Sequence, residues 1–334
     1  MNARLAALIV LIGVVAGCGS GNGAQHTADP VEQVPDTPGL REAVREAQTP
    51  DPASFPPAEG KSLQEVADLV GAGPQAALAT SVLTTGTNRF VFGVLTQEGK
   101  AIYGPTAIYV APNPGQPAQG PFVAPADILL TQARYRSKQA ATETDPFAAV
   151  YAAEVKFDKP GQWAVLVATR DGGRLVGAPT QVNVVSKAQD KVPDVGEAAP
   201  KVQTDTLDSV KGDKALLDTR EPPSDMHANF ADVVGKKPVA LLFSTPQLCA
   251  SRVCGPVTDV ALQLQAKYGK QMEFIHQEVY VDNQIANGLR PPLEAFNLQT
   301  EPWLFVVGKD GKITARLEGS FGVQAFEDAV KTAL

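Results

Sequence analysis

The chain has 334 residues, enough for two ordinary domains and their tails. Apolar residues make up 44% and aromatics 6%, which suits globular domains and excludes a protein that crosses the membrane many times. Lys and Arg number 29 against 36 Asp and Glu, a net charge of −7 with no basic cluster, so nucleic acid has no electrostatic footing as a partner.

The chain opens on "MNARLAALIVLIGVVAGC". One Arg (Arg4) precedes an apolar run, Leu5 to Val15, that is short for a bilayer span. The run ends in Val15-Ala16-Gly17-Cys18, which resembles the lipobox of bacterial lipoproteins. There, small residues admit a peptidase and the cysteine thiol receives the lipid. The resemblance implies a signal peptide over 1–17 and a mature N-terminus at Cys18 bearing acyl chains such as palmitate. It further implies anchorage to the lipid bilayer on the extracytoplasmic face of the cell membrane. An ordinary cleaved signal and an uncleaved anchor are the alternatives. Each buried methylene contributes about 0.8 kcal/mol, so several acyl chains anchor stably.

Residues 18–75 read as a flexible tether. Pro30, Pro35, Pro38, Pro50, Pro52, Pro56 and Pro57 recur among Gly, Ala, Gln and acidic residues, with too few large apolar side chains to offset chain entropy. His26 sits in this stretch. Within it, 40–47 suits a turn or two of helix, and "SLQEVADLV" (62–70) carries a capping box in Ser62 and Glu65.

From 76 to 186 the texture is short runs of Val, Ile, Thr and aromatics bounded by Gly, Pro and Asn. "NRFVFGVLTQEG", "PTAIYVAP", "AAVYAAEVKFDKPG", "QWAVLVATRDGG" and "TQVNVVSK" read as strands, with a Pro-rich loop over 111–125. Six or seven strands without a clear helix predict a β-sandwich. The Gly161-Gln162-Trp163 strand entry resembles immunoglobulin-like domains of bacterial envelope proteins, with Trp163 as core packing.

A polar linker, 187–201, leads to an alternation of strand and helix over 202–334. "KKPVALLFST" (236–245) is an apolar run suited to a strand buried on both faces. A helix is expected over 256–269, with Pro256 in its first turn and Gly269 past its end. A strand follows over 272–282, a short helix over 291–298, a hairpin over 303–319 turning at Lys309-Asp310-Gly311, and a closing helix over 322–334.

Setting Cys18 aside leaves Cys249 and Cys254, in "LCASRVCGP", as the remaining cysteines of an exported chain. In an oxidising compartment this favours one disulfide or dithiol between them. The order of strand, cysteine pair, helix, strand, helix, proline, hairpin and helix resembles the thioredoxin fold. "NLQTEPWLFVVGKDGKI" (297–313) resembles that family's cis-proline segment, and "VGEAAP" (195–200) resembles the opening of its membrane-tethered TlpA-like and peroxiredoxin branches. The fold expected is therefore multidomain, an all-β immunoglobulin-like sandwich followed by an α/β thioredoxin-like unit.

The resemblance implies thiol–disulfide exchange with exported proteins and no cofactor. Cys249 is the nucleophile, Cys254 the resolving thiol and Pro302 the cis-proline, with Glu301 and Arg252 as accessory groups. The spacing departs from the family's C-x2-C. Five residues along a helix separate two side chains by about 500° of rotation and about 8 Å of rise, beyond disulfide reach. The 249–254 segment must then be a loop, with the helix starting near Pro256. Cys249 falls ahead of the first turn, where the helix dipole acts more weakly.

Other readings of the pair are a structural disulfide on a non-enzymatic binding or scaffold protein, Sco-like copper handling, and peroxide reduction. The copper reading lacks its histidine after Pro302; His276, on the preceding strand, reads as packed. The peroxide reading lacks its threonine, since Pro246 holds that place. Met226 and His227 read as surface loop, and Trp303 as core.

Overall fold

The computed structural model describes residues 29–140, 147–249 and 251–334. Cys18 and the signal segment lie outside them. Among the described residues, ten strands precede residue 186: β1 (Gly71–Ala72), β2 (Gln75–Leu78), β3 (Leu83–Thr84), β4 (Gly86–Leu95), β5 (Thr106–Ala111), β6 (Gln119–Val123), β7 (Ala126–Ile128), β8 (Ala149–Phe157), β9 (Gly161–Asp171) and β10 (Arg174–Val185). One sheet runs β1-β10-β9-β5-β6 with β3 beside β10, and the other runs β2-β4-β8-β7. The segment read as a Pro-rich loop contains β6, whose pairing with β5 is irregular and whose Gly120–Pro121 bond is cis.

Strand alternation builds the core between these sheets. Phe90, Phe92 and Val94 of β4 meet Ile108, Val110, Trp163 and Val165 from the facing sheet. Trp163 is buried, its ring edge-on to Phe157 at 5.2 Å and its Nε1–H donating to the Lys159 carbonyl.

The tether expectation is corrected for residues 29–75, which are packed. Helix α1 (Leu40–Ala47) joins Val31 and Val34 in the sandwich core through Val44 and Ala47. Helix α2 (Leu63–Ala67) has the expected capping box, Ser62 N–H donating to Glu65 at 2.7 Å. Phe55, Leu63 and Val66 cover Ala107, Tyr109, Ala164 and Leu166 on the outer face of the larger sheet. That face is apolar because β5 and β9 carry small and aliphatic residues at alternate positions. Covering it contributes about 25 cal/mol per Å², which offsets the ordering entropy of a Pro-rich segment already restricted in conformation.

The 187–201 segment is likewise docked. Val192 is buried, and Asp190 pairs with Arg316 at 2.7 Å. The 202–238 stretch carries two single-turn helices, α3 (Lys214–Leu217) and α4 (Phe230–Val233), and the cis bond Glu221–Pro222.

Strand β11 (Val239–Phe243) follows, then α5 (Cys254–Tyr268), β12 (Glu273–Gln277), α6 (Pro291–Ala295), β13 (Trp303–Val307), β14 (Ile313–Glu318) and α7 (Val323–Lys331). The sheet order is β12-β11-β13-β14. β11 runs parallel to β12 and antiparallel to β13, and β13 is antiparallel to β14. This order, with α5 crossing between the parallel pair, is that of the thioredoxin fold.

Alternation on β11 sends Ala240 and Leu242 toward α5 and α7, and Val239, Leu241 and Phe243 toward Phe230, Leu293 and Phe296. Trp303 lies in the second core, stacked on Phe305 with the Arg316 guanidinium over its ring.

The sandwich and this α/β unit share a core. Val91, Leu129 and Val150 of the sandwich pack among Val260, Leu264, Phe321 and Phe326. Asp127 of β7 accepts from the backbone N–H groups of Gly322, Gln324 and Ala325, capping the first turn of α7 from the neighbouring unit. A Cβ at Gly322 would lie 2.3 Å from the Ile128 carbonyl oxygen, so this approach requires glycine.

Candidate functional site

Two cysteines close the loop that joins β11 to α5. Cys254 is the first residue of the helix and fully buried, while Cys249 is partly exposed. The helix thus starts two residues before the expected Pro256, and the loop alone brings the sulfurs together. Cys249 N–H donates to the Thr245 carbonyl at 3.1 Å, and Arg252 N–H to the Cys249 carbonyl at 3.4 Å. Arg252, exposed, turns the loop with φ 60°.

Both side chains are thiols. The Cys254 thiol donates a hydrogen bond to the Cys249 sulfur, which is the main reason the Cys249 pKa falls to about 6 against the opposing effect of burial. The Ser251 hydroxyl, 3.2 Å away, and the backbone N–H groups of Ser251 and Cys254 add to it. The sulfur therefore sits in a cradle of donors that suits an anion. The position five residues before Cys254 does not deprive it of the helix terminus, because the loop folds back onto that terminus. Burial and the adjacent Cys249 charge push Cys254 the other way, well above the ordinary thiol value.

The Glu301–Pro302 bond is cis, and Pro302 is buried at the entry to β13. Burial first, and the Cys249 charge second, raise the Glu301 carboxyl to about 7. Cys254 also feels Glu301, so the carboxyl lies within electrostatic reach of both sulfurs. Tyr280, just past β12, responds to burial, to Glu301 and to both cysteines, and so borders the same site. Residue type alone gave no signal for it.

The sandwich also reaches this site. Ser137 donates from its N–H and hydroxyl to Asp259 of α5 at 2.8 and 3.0 Å. Arg220 Nε pairs with the other Asp259 oxygen at 2.8 Å, both side chains being buried. Arg220 also donates to the Tyr135 carbonyl. Gln139 lies so close to Gly255 that a Cβ there would meet its Cβ at 2.6 Å. The turn beside Cys254 is thus held by the sandwich. An acidic residue inside an apolar helix, Asp259 in "PVTDVAL", was the available sequence signal.

Met226 and His227 are corrected from surface loop. Met226 is buried in the core between sheet and helices. His227 Nε2 lies 3.4 Å from Asp218. His276, fully buried, faces Asp218 across 3.5 Å. Burial disfavours its charged ring, but Asp218 overcomes this and raises it to about 9. Among the described residues, the group whose ligand atoms converge is Asp218, His276 and Glu278, and neither cysteine belongs to it.

No family model and no curated protein matches the chain. Among solved structures, a Chlorobium tepidum protein described as the thiol:disulfide interchange protein DsbE aligns with 42% of this chain and 98% of its own, at 16% identity and TM-score 0.30. A thiol:disulfide interchange protein of the thioredoxin family from Chlorobium tepidum TLS aligns with 43% and 98%, at 17% identity and TM-score 0.29. An endo-beta-1,4-mannanase from Thermotoga petrophila aligns with 34% of this chain and 20% of its own, at 8% identity and TM-score 0.19. At these scores the likenesses decide nothing, and the strand order and site geometry carry the reading.

Proposed function

We propose that this chain is a lipid-anchored envelope protein that exchanges thiols and disulfides with exported proteins. The observation that carries the reading is the donor cradle around Cys249, completed by the Cys254 thiol. The Cys249 thiolate attacks one sulfur of a partner disulfide and expels the other as thiolate. Cys254 then loses its proton, attacks the Cys249 sulfur and releases the partner's second thiolate. Two electrons pass to the partner and the 249–254 pair becomes a disulfide; the reverse sequence oxidises a partner dithiol.

Glu301 suits the proton transfer. In the mixed disulfide Cys249 is neutral, so one of the two influences raising the Glu301 pKa disappears. The carboxylate becomes easier to form when Cys254 must be deprotonated. The immunoglobulin-like sandwich, joined to the turn beside Cys254, presents or recognises the partner. Acylated Cys18 holds the assembly at the membrane, and Cys18→Ala is expected to move the protein from the membrane to the soluble fraction.

The competing reading, a bridge that only braces the loop, draws on the burial of Cys254. Glutathione titration and insulin reduction separate the two. Exchange predicts a potential of roughly −120 to −270 mV with turnover, whereas a bridge resisting reduction below about −300 mV without turnover means a clip. With Glu301→Gln, turnover falls about 10²-fold above pH 7, where the wild-type carboxyl is ionised and able to accept the proton.

A further inference from the structure

Asp218, His276 and Glu278 form a second cluster, apart from the dithiol chemistry. All three are at most 2% exposed. One ligand atom from each lies within 4.8 Å of the other two. Asp218 is distant in the chain from the other two. Asp218 follows α3, His276 lies in β12 and Glu278 just beyond it.

The surrounding hydrogen bonds orient each group inward. His276 Nε2 lies 3.0 Å from the Ser244 carbonyl oxygen, which can only accept, so Nε2 carries the proton. This leaves Nδ1 aimed at the cluster with no hydrogen-bond partner. Glu278 Oε1 accepts from both the N–H and the hydroxyl of Thr219 at 2.7 Å, while Oε2 has no partner. Asp218 Oδ2 is held by the N–H and hydroxyl of Ser224, and Oδ1 by Arg220 N–H at 2.8 Å.

An imidazole that donates its outer N–H to a backbone carbonyl, beside carboxylates pinned by outer donors, is the arrangement that fixes metal ligands. The 3.5 Å from His276 Nδ1 to Asp218 Oδ1 is long for a hydrogen bond. It is close to the roughly 3.4 Å that separates two ligands on a tetrahedral ion with bonds of about 2.0–2.1 Å.

We propose that Asp218, His276 and Glu278 bind a divalent transition-metal cation of the zinc class. When the ion displaces the ring's second proton, two carboxylates and a neutral imidazole carry a charge of −2, which such a cation cancels. A single proton on Nδ1 offers one N–H to two carboxylates and leaves a buried negative charge. One nitrogen and two oxygens suit Zn2+ or Co2+ better than Cu+, which prefers sulfur. Glu278 is tied to Thr219, whose hydroxyl receives Gln247 N–H at 3.2 Å. The ion thus braces the base of the loop that carries Cys249.

The test uses the full chain with Cys18, Cys249 and Cys254 all replaced by Ser, so that no thiolate can bind metal, and titrates it with Co2+ and Zn2+. The proposal expects one equivalent bound, visible Co2+ bands without sulfur charge transfer, and a higher melting temperature with Zn2+. It expects affinity weaker by at least about 10-fold in Glu278→Gln and in Asp218→Asn. No Co2+ or Zn2+ uptake by the folded triple-Ser chain overturns it, leaving a protonated His276 as the occupant. Undiminished binding in both substituted chains, or a stoichiometric complex in which His276 shows no metal-induced NMR shift, also overturns it.

Discussion

On the proposed exchange, the Cys249→Ser chain is expected to lose disulfide reduction, with insulin turnover lower by at least about 10³-fold. A serine hydroxyl in the same cradle does not ionise near neutrality and cannot form the mixed disulfide. Cys254→Ala behaves differently. Its Cys249 can still attack, but nothing resolves the product, so mixed disulfides with partners accumulate and survive non-reducing electrophoresis. Equal activity in wild type and Cys249→Ser sinks the assignment of the nucleophile. Sustained multiple turnover by Cys254→Ala without added thiol sinks that of the resolving thiol.

Asp259→Ala is expected to lower stability by about 3–5 kcal/mol, read as a fall in the urea midpoint. The cost arises because buried Arg220 and Ser137 lose the oxygen acceptors of Asp259, which the acid supplies in either protonation state. Arg220→Met with Asp259→Leu loses much less, because no charge is stranded. Burial raises the Asp259 pKa from 3.8 to about 6 in the folded chain. The folded state therefore binds this proton more tightly than the unfolded state. The stability the residue contributes is full below about pH 4 and declines as pH rises through 6, a slope that Asp259→Ala removes. If Asp259→Ala leaves the midpoint unchanged, the joint between the sandwich and α5 is not where the structure puts it.

Much of the α/β unit was legible because its signals are local. The 236–245 run is apolar at every position that faces either core, and Pro302 and the Lys309-Asp310-Gly311 turn punctuate the hairpin. The sandwich strands were marked by β-branched and aromatic residues, although the pairing order that joins β1 and β3 to β10 has no local signature. The packing of 29–75 was hidden. Val31, Val34, Val44, Phe55, Leu63 and Val66 are widely spaced among prolines and lack a period; the first three enter the core between the sheets, and the outer face that the other three cover exists only after β5 and β9 pair.

The site was legible in its residues and not in its electrostatics. Cys249, Cys254, Glu301 and Pro302 are visible in the sequence. The fold-back that places Cys254 S–H on the Cys249 sulfur depends on a left-handed turn at Arg252, which no residue preference announces. Asp218 and His276 meet only because the segment after α3 lies beside β12, where the His276 backbone N–H donates to the Met226 carbonyl at 2.7 Å.

The central claim is that the Cys254 thiol makes Cys249 an anion at neutral pH, and the pH dependence of iodoacetamide alkylation at Cys249 tests it most directly. The account predicts a midpoint near pH 6 in the reduced wild-type protein, moving upward in Cys254→Ala as the donor is lost. A wild-type midpoint of about 8.5, that of an ordinary thiol, unchanged by Cys254→Ala, contradicts it.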